Sequence, residues 1–159
     1  MYKRQDEYNQ LHLTSKNGVS YPIIKGIPRI LNDFNNYSSA FGEQWTKWRK
    51  TQLDTYTNTT ITRDRLFRCL GKNIIYQLKN SKDIIHVLEV GCGAGRFTEI
   101  LLEFPSIKLT SIDLSYAVEA NLLNFPQNSH HRIIQTDLME LPFKSMQSVS
   151  YTHLTLPTR

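Results

Sequence analysis

The sequence predicts an α/β protein organised around a doubly wound parallel sheet, and three stretches carry that reading. The first is Ile84 to Thr98, IIHVLEVGCGAGRFT. A short apolar run there ends in Glu89, turns through Gly91, Gly93 and Gly95, and leads into Phe97, Ile100, Leu101 and Phe104 at helical spacing. The second is Lys108 to Ile112, a strand-like run closed by Asp113; the third is Arg132 to Thr136, closed by Asp137. Three successive strands each deliver an acidic residue at or near the carboxyl end, the edge at which open α/β sheets bind ligands.

The elements upstream follow from local signals. Leu11 to Ile23 places Asn17-Gly18 between two alternating runs, the strongest short-range hairpin signal. In Phe41 to Asp54, FGEQWTKWRKTQLD, a helix would put Phe41, Trp45 and Trp48 on one side as a packing face. Thr62 is placed to cap the next helix, with Asp64 in its first turn and Leu66, Leu70, Ile74 and Leu78 following at intervals of four to pack on the sheet. Arg63 and Arg65 at its start read as solvated charges.

Glycine is needed where the backbone takes positive φ or a ligand approaches where a Cβ would stand. The helix that follows directs free N–H groups at the same place, so the turn calls for a bound small molecule. The dinucleotide fingerprint has the spacing G-x-G-x-x-G. Gly91, Gly93 and Gly95 fall one residue short of it, and Arg96 stands where the last glycine belongs. An acidic residue roughly twenty positions past the glycines, as Asp113 is, can accept hydrogen bonds from both ribose hydroxyls.

The pieces LEVGCGAGRFT, SIDLSYAVEAN and TDLMELPF, in this order over Val87 to Phe143, resemble the class I S-adenosylmethionine-dependent methyltransferases. The resemblance implies a Rossmann-like methyltransferase sheet cut after its third strand, with S-adenosylmethionine as cofactor. Gly91, Gly93 and Gly95 would line its methionine part, with Glu89 near the amino group. Asp113 would hold the ribose, Leu114 would touch the adenine face, and Asp137 would accept from the exocyclic amine with Leu138 beside it. Taken alone, Asp137 also fits a cap for a short turn over Leu138 to Leu141. The string YPIIKGIP resembles the second half of a zinc-ribbon-like module found before such domains. Its cysteine pairs are absent, and no metal is expected. The extension carrying Trp45 and Trp48 would, by the same resemblance, close over the cofactor.

Both termini read as translated sequencing adaptor. Val149 to Arg159, VSYTHLTLPTR, matches the transposon mosaic-end sequence in one orientation and Met1 to Gln5 matches it in the other, so both are expected to be non-native. The expected organisation is then adaptor at 1–5, a hairpin segment at 6–35, a helical extension at 36–80, the first half of the methyltransferase domain at 81–148, and adaptor at 149–159. Without Lys3, Arg4 and Arg159 the net charge of +5 falls to +2. That balance makes no case for nucleic-acid binding. No run approaches a membrane span, and no charged start with an apolar core marks a signal peptide. Cys69 and Cys92 lack metal-site spacing, which fits a reducing cytoplasm. His130 and His131, beside Asn128 and Ser129, read as a solvated turn.

The expected activity is methyl transfer to an acceptor, expected to be a small molecule, with the catalytic residues not assignable from this stretch. A non-catalytic cofactor-binding module and an aminopropyl transferase are the alternatives. Strand four of the family's sheet order would be missing, leaving the Ile84 to Val90 strand with an open edge.

Overall fold

A computed structural model describes residues 2–5, 11–15, 17–31, 44–45 and 47–140. Its first four strands form an antiparallel meander: β1 (Tyr2–Gln5), β2 (Leu11–Thr14), β3 (Ser20–Ile24) and β4 (Ile27–Ile30). The Asn17-Gly18 pair lies in the β2–β3 connection, where Gly18 takes φ +83° and its N–H donates to the Ser15 carbonyl at 3.1 Å. The tight two-residue turn is elsewhere. Ile24 faces Ile27 across Lys25 and Gly26, both at positive φ (53° and 79°), as a primed hairpin turn requires.

The helical stretch departs from expectation at Trp48. The Trp48 N–H closes a helical turn onto the Gln44 carbonyl at 3.1 Å and residues 48–52 then form turns, but the indole stands exposed under the Lys47 ammonium instead of packing. Trp45 is half-buried, and Phe41 lies outside the described residues. Helix α1 (Asp54–Thr57) and helix α2 (Ile61–Asn80) follow. Thr62 is not the cap of α2, which begins one residue earlier. Its own N–H instead donates to Asp54 Oδ1 at 3.0 Å, so an acid of the preceding turn does the capping. Gly71 kinks α2 (φ 76°, ψ 161°), and past the kink Ile75 is buried more deeply than Ile74.

Strand β5 (Ile85–Val90), helix α3 (Thr98–Leu101), strand β6 (Ile107–Asp113), helix α4 (Ala117–Asn124) and strand β7 (His131–Thr136) alternate as the sequence predicts. All three strands pair in parallel. β4 adds to them, also parallel, with Arg29 opposite Gln135. One seven-stranded sheet results, in the order β1-β2-β3-β4-β7-β6-β5, with β5 at its end among the described residues.

Cross-strand partners share a sheet face, and this parity locates the core. Leu66, Ile75 and Leu78 of α2 and Ile100 and Leu101 of α3 cluster with Ile107 and Leu109, against which Ile85 and Val87 also pack. Val118 of α4 clusters with Ile27 and Ile133. These strand residues lie on one face, so α2, α3 and α4 all cover that face. Each fully buried aliphatic there contributes about 1.5 to 3 kcal/mol. Leu88, Val90, Thr110 and Ile134 point the other way and remain half-buried. Among the described residues no helix is long and apolar enough to cross a membrane.

Candidate cofactor site

The glycine turn leaves β5 at its carboxyl end. Two residues past the strand, the Cys92 N–H still donates to the Ile112 carbonyl at 3.0 Å, and the turn is made by Gly91, Gly93 and Gly95 at φ 69°, 51° and 99°. The three glycines differ in surroundings. A Cβ on Gly91 or Gly93 would meet nothing within 4 Å, so these two border open space. A Cβ on Gly95 would fall 2.5 Å from the Phe125 ring, so that glycine lets α3 pack against the end of α4.

Asp113 faces this turn from the end of β6. Its Oδ2 accepts the Gly93 N–H at 2.8 Å, and its Oδ1 accepts the Ser115 N–H at 2.8 Å and the Ser115 hydroxyl at 2.7 Å. The carboxylate is thus fixed next to the open side of the loop. Leu114 follows it, exposed, with its carbonyl accepting from Gln135 Nε2 at 2.8 Å. At the end of β7, Asp137 Oδ1 accepts the Met139 N–H at 2.9 Å and caps the 3-10 turn Leu138–Glu140, where Leu138 is partly exposed. The structure therefore brings Gly93 and Asp113 into direct contact and sets Leu114, Asp137 and Leu138 along the same strand ends.

Glu89 is buried, with 7% of its surface exposed. Its Oε2 accepts the Thr98 hydroxyl at 2.6 Å and the Ser111 hydroxyl at 2.8 Å, while Oε1 is buried with no protein partner. Burial raises its pKa to about 7, against the pull of Thr98 and Ser111 and with a further push from Asp113. Burial also drives the Cys92 thiol well above its ordinary range, which keeps it neutral. An orphaned acidic oxygen on the residue two positions before the glycine turn suits a ligand carrying a cationic group, as the amino group of S-adenosylmethionine is.

Several residues around the site escaped the sequence reading. His131 is not in a solvated turn but fully buried as the first residue of β7, with Nε2 3.1 Å from Ser111 Oγ and Nδ1 3.1 Å from the Phe125 carbonyl. Its neighbour His130 is exposed. Burial lowers the His131 pKa. Arg29 of β4 is 1% exposed and spans Gln135 Oε1 at 2.8 Å and Glu119 Oε1 at 2.9 Å, with its guanidinium 5.9 Å from the Tyr116 ring. Burial lowers its pKa even with Glu119 adjacent. Through Gln135 it holds the Leu114 carbonyl, so the N-terminal strands brace the loop after β6. Arg63, expected as a solvated charge, is half-buried and engaged by both oxygens of Glu103; Arg65 is exposed.

The chain is similar to known proteins over this region. Residues 88–154 match the methyltransferase domain family. The malonyl-[acyl-carrier protein] O-methyltransferase of Paenibacillus sp. (strain JDR-2) is 28% identical over 109 residues, which cover 65% of this chain and 38% of that protein. A solved structure from Methanococcus maripaludis, described as an S-adenosyl-L-methionine-dependent methyltransferase, is 15% identical with a TM-score of 0.45, covering 72% of this chain and 49% of that one. The chain thus spans less than half the length of either relative. The domain match runs from the carboxyl half of β5 through the glycine turn and both acidic strand ends, and over that stretch the chain is similar to methyltransferases.

Proposed function

We propose that the protein binds S-adenosylmethionine over the glycine turn and transfers its methyl group to a small-molecule acceptor in the cytoplasm. Gly91 and Gly93 admit the methionine part and Gly95 shapes the turn behind them. Glu89 faces the amino group, Asp113 the ribose hydroxyls, Leu114 the adenine face, and Asp137 the exocyclic amine with Leu138 beside it. The observation that carries the reading is the Asp113–Gly93 contact at 2.8 Å, which sets the acidic strand end against the open side of the turn. The Paenibacillus relative acts on a malonyl-[acyl-carrier protein], which makes a carboxylate oxygen one acceptor to test here.

Held by Gly91, Gly93 and Asp113, the sulfonium would supply an electrophilic methyl group to the acceptor's lone pair. The protein's part is placement, because nucleophile, carbon and leaving sulfur must be collinear and close. The turn and Asp113 fix one half of that geometry. Their rigidity comes from the β5–β6 ladder beneath them and from the Arg29 brace beside them. Titration calorimetry with S-adenosylmethionine and with NAD tests the assignment: saturable binding of the first is expected, and binding of NAD alone would overturn it.

A further inference from the structure

Glu89 and Ser111 stand opposite each other on β5 and β6, and His131 of β7, whose own register partner is Leu109, reaches Ser111 diagonally, all three on the face covered by α3 and α4. The hydrogens in this line can be counted. The Phe125 carbonyl can only accept, so His131 Nδ1 carries a hydrogen. Thr98 Oγ1 accepts from Asn121 Nδ2 at 3.0 Å and gives its own hydrogen to Glu89 Oε2. Ser111 has one hydroxyl hydrogen and two neighbours that need it, Glu89 Oε2 at 2.8 Å and His131 Nε2 at 3.1 Å. Both contacts are hydrogen bonds only if one more proton resides in the line. It sits either on Glu89, with Ser111 donating to neutral His131, or on His131 Nε2, with Ser111 donating to the carboxylate.

We propose that Glu89, Ser111 and His131 form a relay holding this proton in common, on Glu89 in the free protein and passed through Ser111 to His131 when the cofactor's cationic amino group settles against Glu89. The inference rests on the cofactor reading above and makes His131 a positioning residue, acting on the ligand only through the charge of Glu89. The transfer is balanced: the Glu89 O–H bond breaks as its proton moves to Ser111 Oγ, and the Ser111 hydroxyl proton moves to His131 Nε2. No charge leaves the three residues.

The surroundings favour this distribution. On the Glu89 side, Asp113 opposes a second carboxylate and the Cys92 thiol stays neutral, so burial keeps the free acid protonated up to about neutrality. An incoming ammonium reverses that balance. On the His131 side, burial lowers the pKa and keeps the ring neutral in the free protein, while the Phe125 and Pro126 backbone groups work against it and offer an arriving proton a hydrogen-bonded place. Thr98 and Asn121, the side chains of α3 and α4 closing the line from above, carry no charge.

The test uses the protein with labelled histidine rings, followed just below neutral pH with and without S-adenosylmethionine, beside calorimetry in two buffers of different ionisation enthalpy. The expected result is a His131 Nε2 that is unprotonated in the free protein and protonated in the complex, with the same binding enthalpy in both buffers. In His131→Asn the relay has no terminus, so Glu89 sheds about one proton to solvent on binding and the two enthalpies separate by about one ionisation enthalpy. An Nε2 whose state does not change on binding overturns the proposal, as does equal proton release in parent and variant. If His131→Asn does not fold, the parent spectra decide alone. Absence of any binding heat overturns the cofactor reading and with it the passage of the proton. The ligand-free spectra then judge the shared proton: a protonated Glu89 carboxyl with unprotonated Nε2 supports it, and a protonated Nε2 overturns it.

Discussion

Asp54 caps helix α2 from outside the helix: its Oδ2 accepts the Arg63 backbone N–H at 2.9 Å, while its Oδ1 accepts that of Thr62 at 3.0 Å. Two of the four amides that a helix start leaves unpaired are satisfied this way. Asp54 is itself held by Glu99 of α3, whose Oε2 accepts the Asp54 N–H at 2.8 Å. Two carboxylates thereby tie α1, α2 and α3 together. Replacing Asp54 by Ala should cost about 1 to 2 kcal/mol, read as a lower midpoint in urea. Burial raises the Asp54 pKa, but the Arg63 and Thr62 amides outweigh it and hold it below its ordinary value. A depressed acid stabilises above its unfolded pKa and loses that contribution as pH falls through its folded pKa. The parent should therefore lose stability below the ordinary carboxylate range, and Asp54→Asn should lose less.

Glu89 predicts the opposite slope. Its pKa rises from 4.5 to about 7 on folding, so the folded state binds the extra proton between those values and stability declines as pH rises through that window. His131, depressed by burial, adds stability as pH rises through its folded pKa toward 6.5 and partly masks the decline. Glu89→Gln removes the Glu89 contribution. The variant should exceed the parent in stability at about pH 8, by no more than about 3 kcal/mol, and the two should converge near pH 5.

Asp113→Ala removes an acceptor for two hydroxyls and releases the Gly93 and Ser115 amides. At about 1.5 to 3 kcal/mol per charge-assisted bond, cofactor affinity should fall at least about tenfold in calorimetry. Unchanged affinity would remove the ribose role.

The glycines should separate by assay. Gly93→Val puts a branched side chain into the open approach and should abolish cofactor binding. Gly95→Ala places a methyl group 2.5 Å from the Phe125 ring at φ 99°, so its main effect should be a loss of stability, read by thermal melting.

Arg29→Met leaves Gln135 without its buried partner and Glu119 with Lys25 alone, and should destabilise by about 1 to 3 kcal/mol in chemical denaturation. Cofactor affinity should fall with it, since the Leu114 loop loses its brace.

The site-bearing half was legible because its signals are local. β5, β6 and β7 fall within one residue of the expected limits, since an apolar run closed by an acid needs no distant partner to be recognised. The glycines of the turn were legible for the same reason, their positive φ being a property of the residue itself. What was missed depends on partners far along the chain. Arg29 looks like a surface charge until β4 lies beside β7 and Gln135 meets it. His131 looks like part of a polar turn until Ser111 and the Phe125 carbonyl enclose it. Thr62 has the chemistry of a cap, but the helix begins at Ile61, and Asp54 from the preceding helix takes the amides of Thr62 and Arg63.

The parallel pairing of β4 with β7 joins residues 106 positions apart, Arg29 and Gln135. Closing so long a loop forfeits chain entropy before any contact repays it, whereas β5, β6 and β7 join through short helical crossovers. The three-stranded parallel unit should therefore assemble first and the meander should dock onto its β7 edge last, making substitutions at Arg29 accelerate unfolding while leaving the folding rate nearly unchanged.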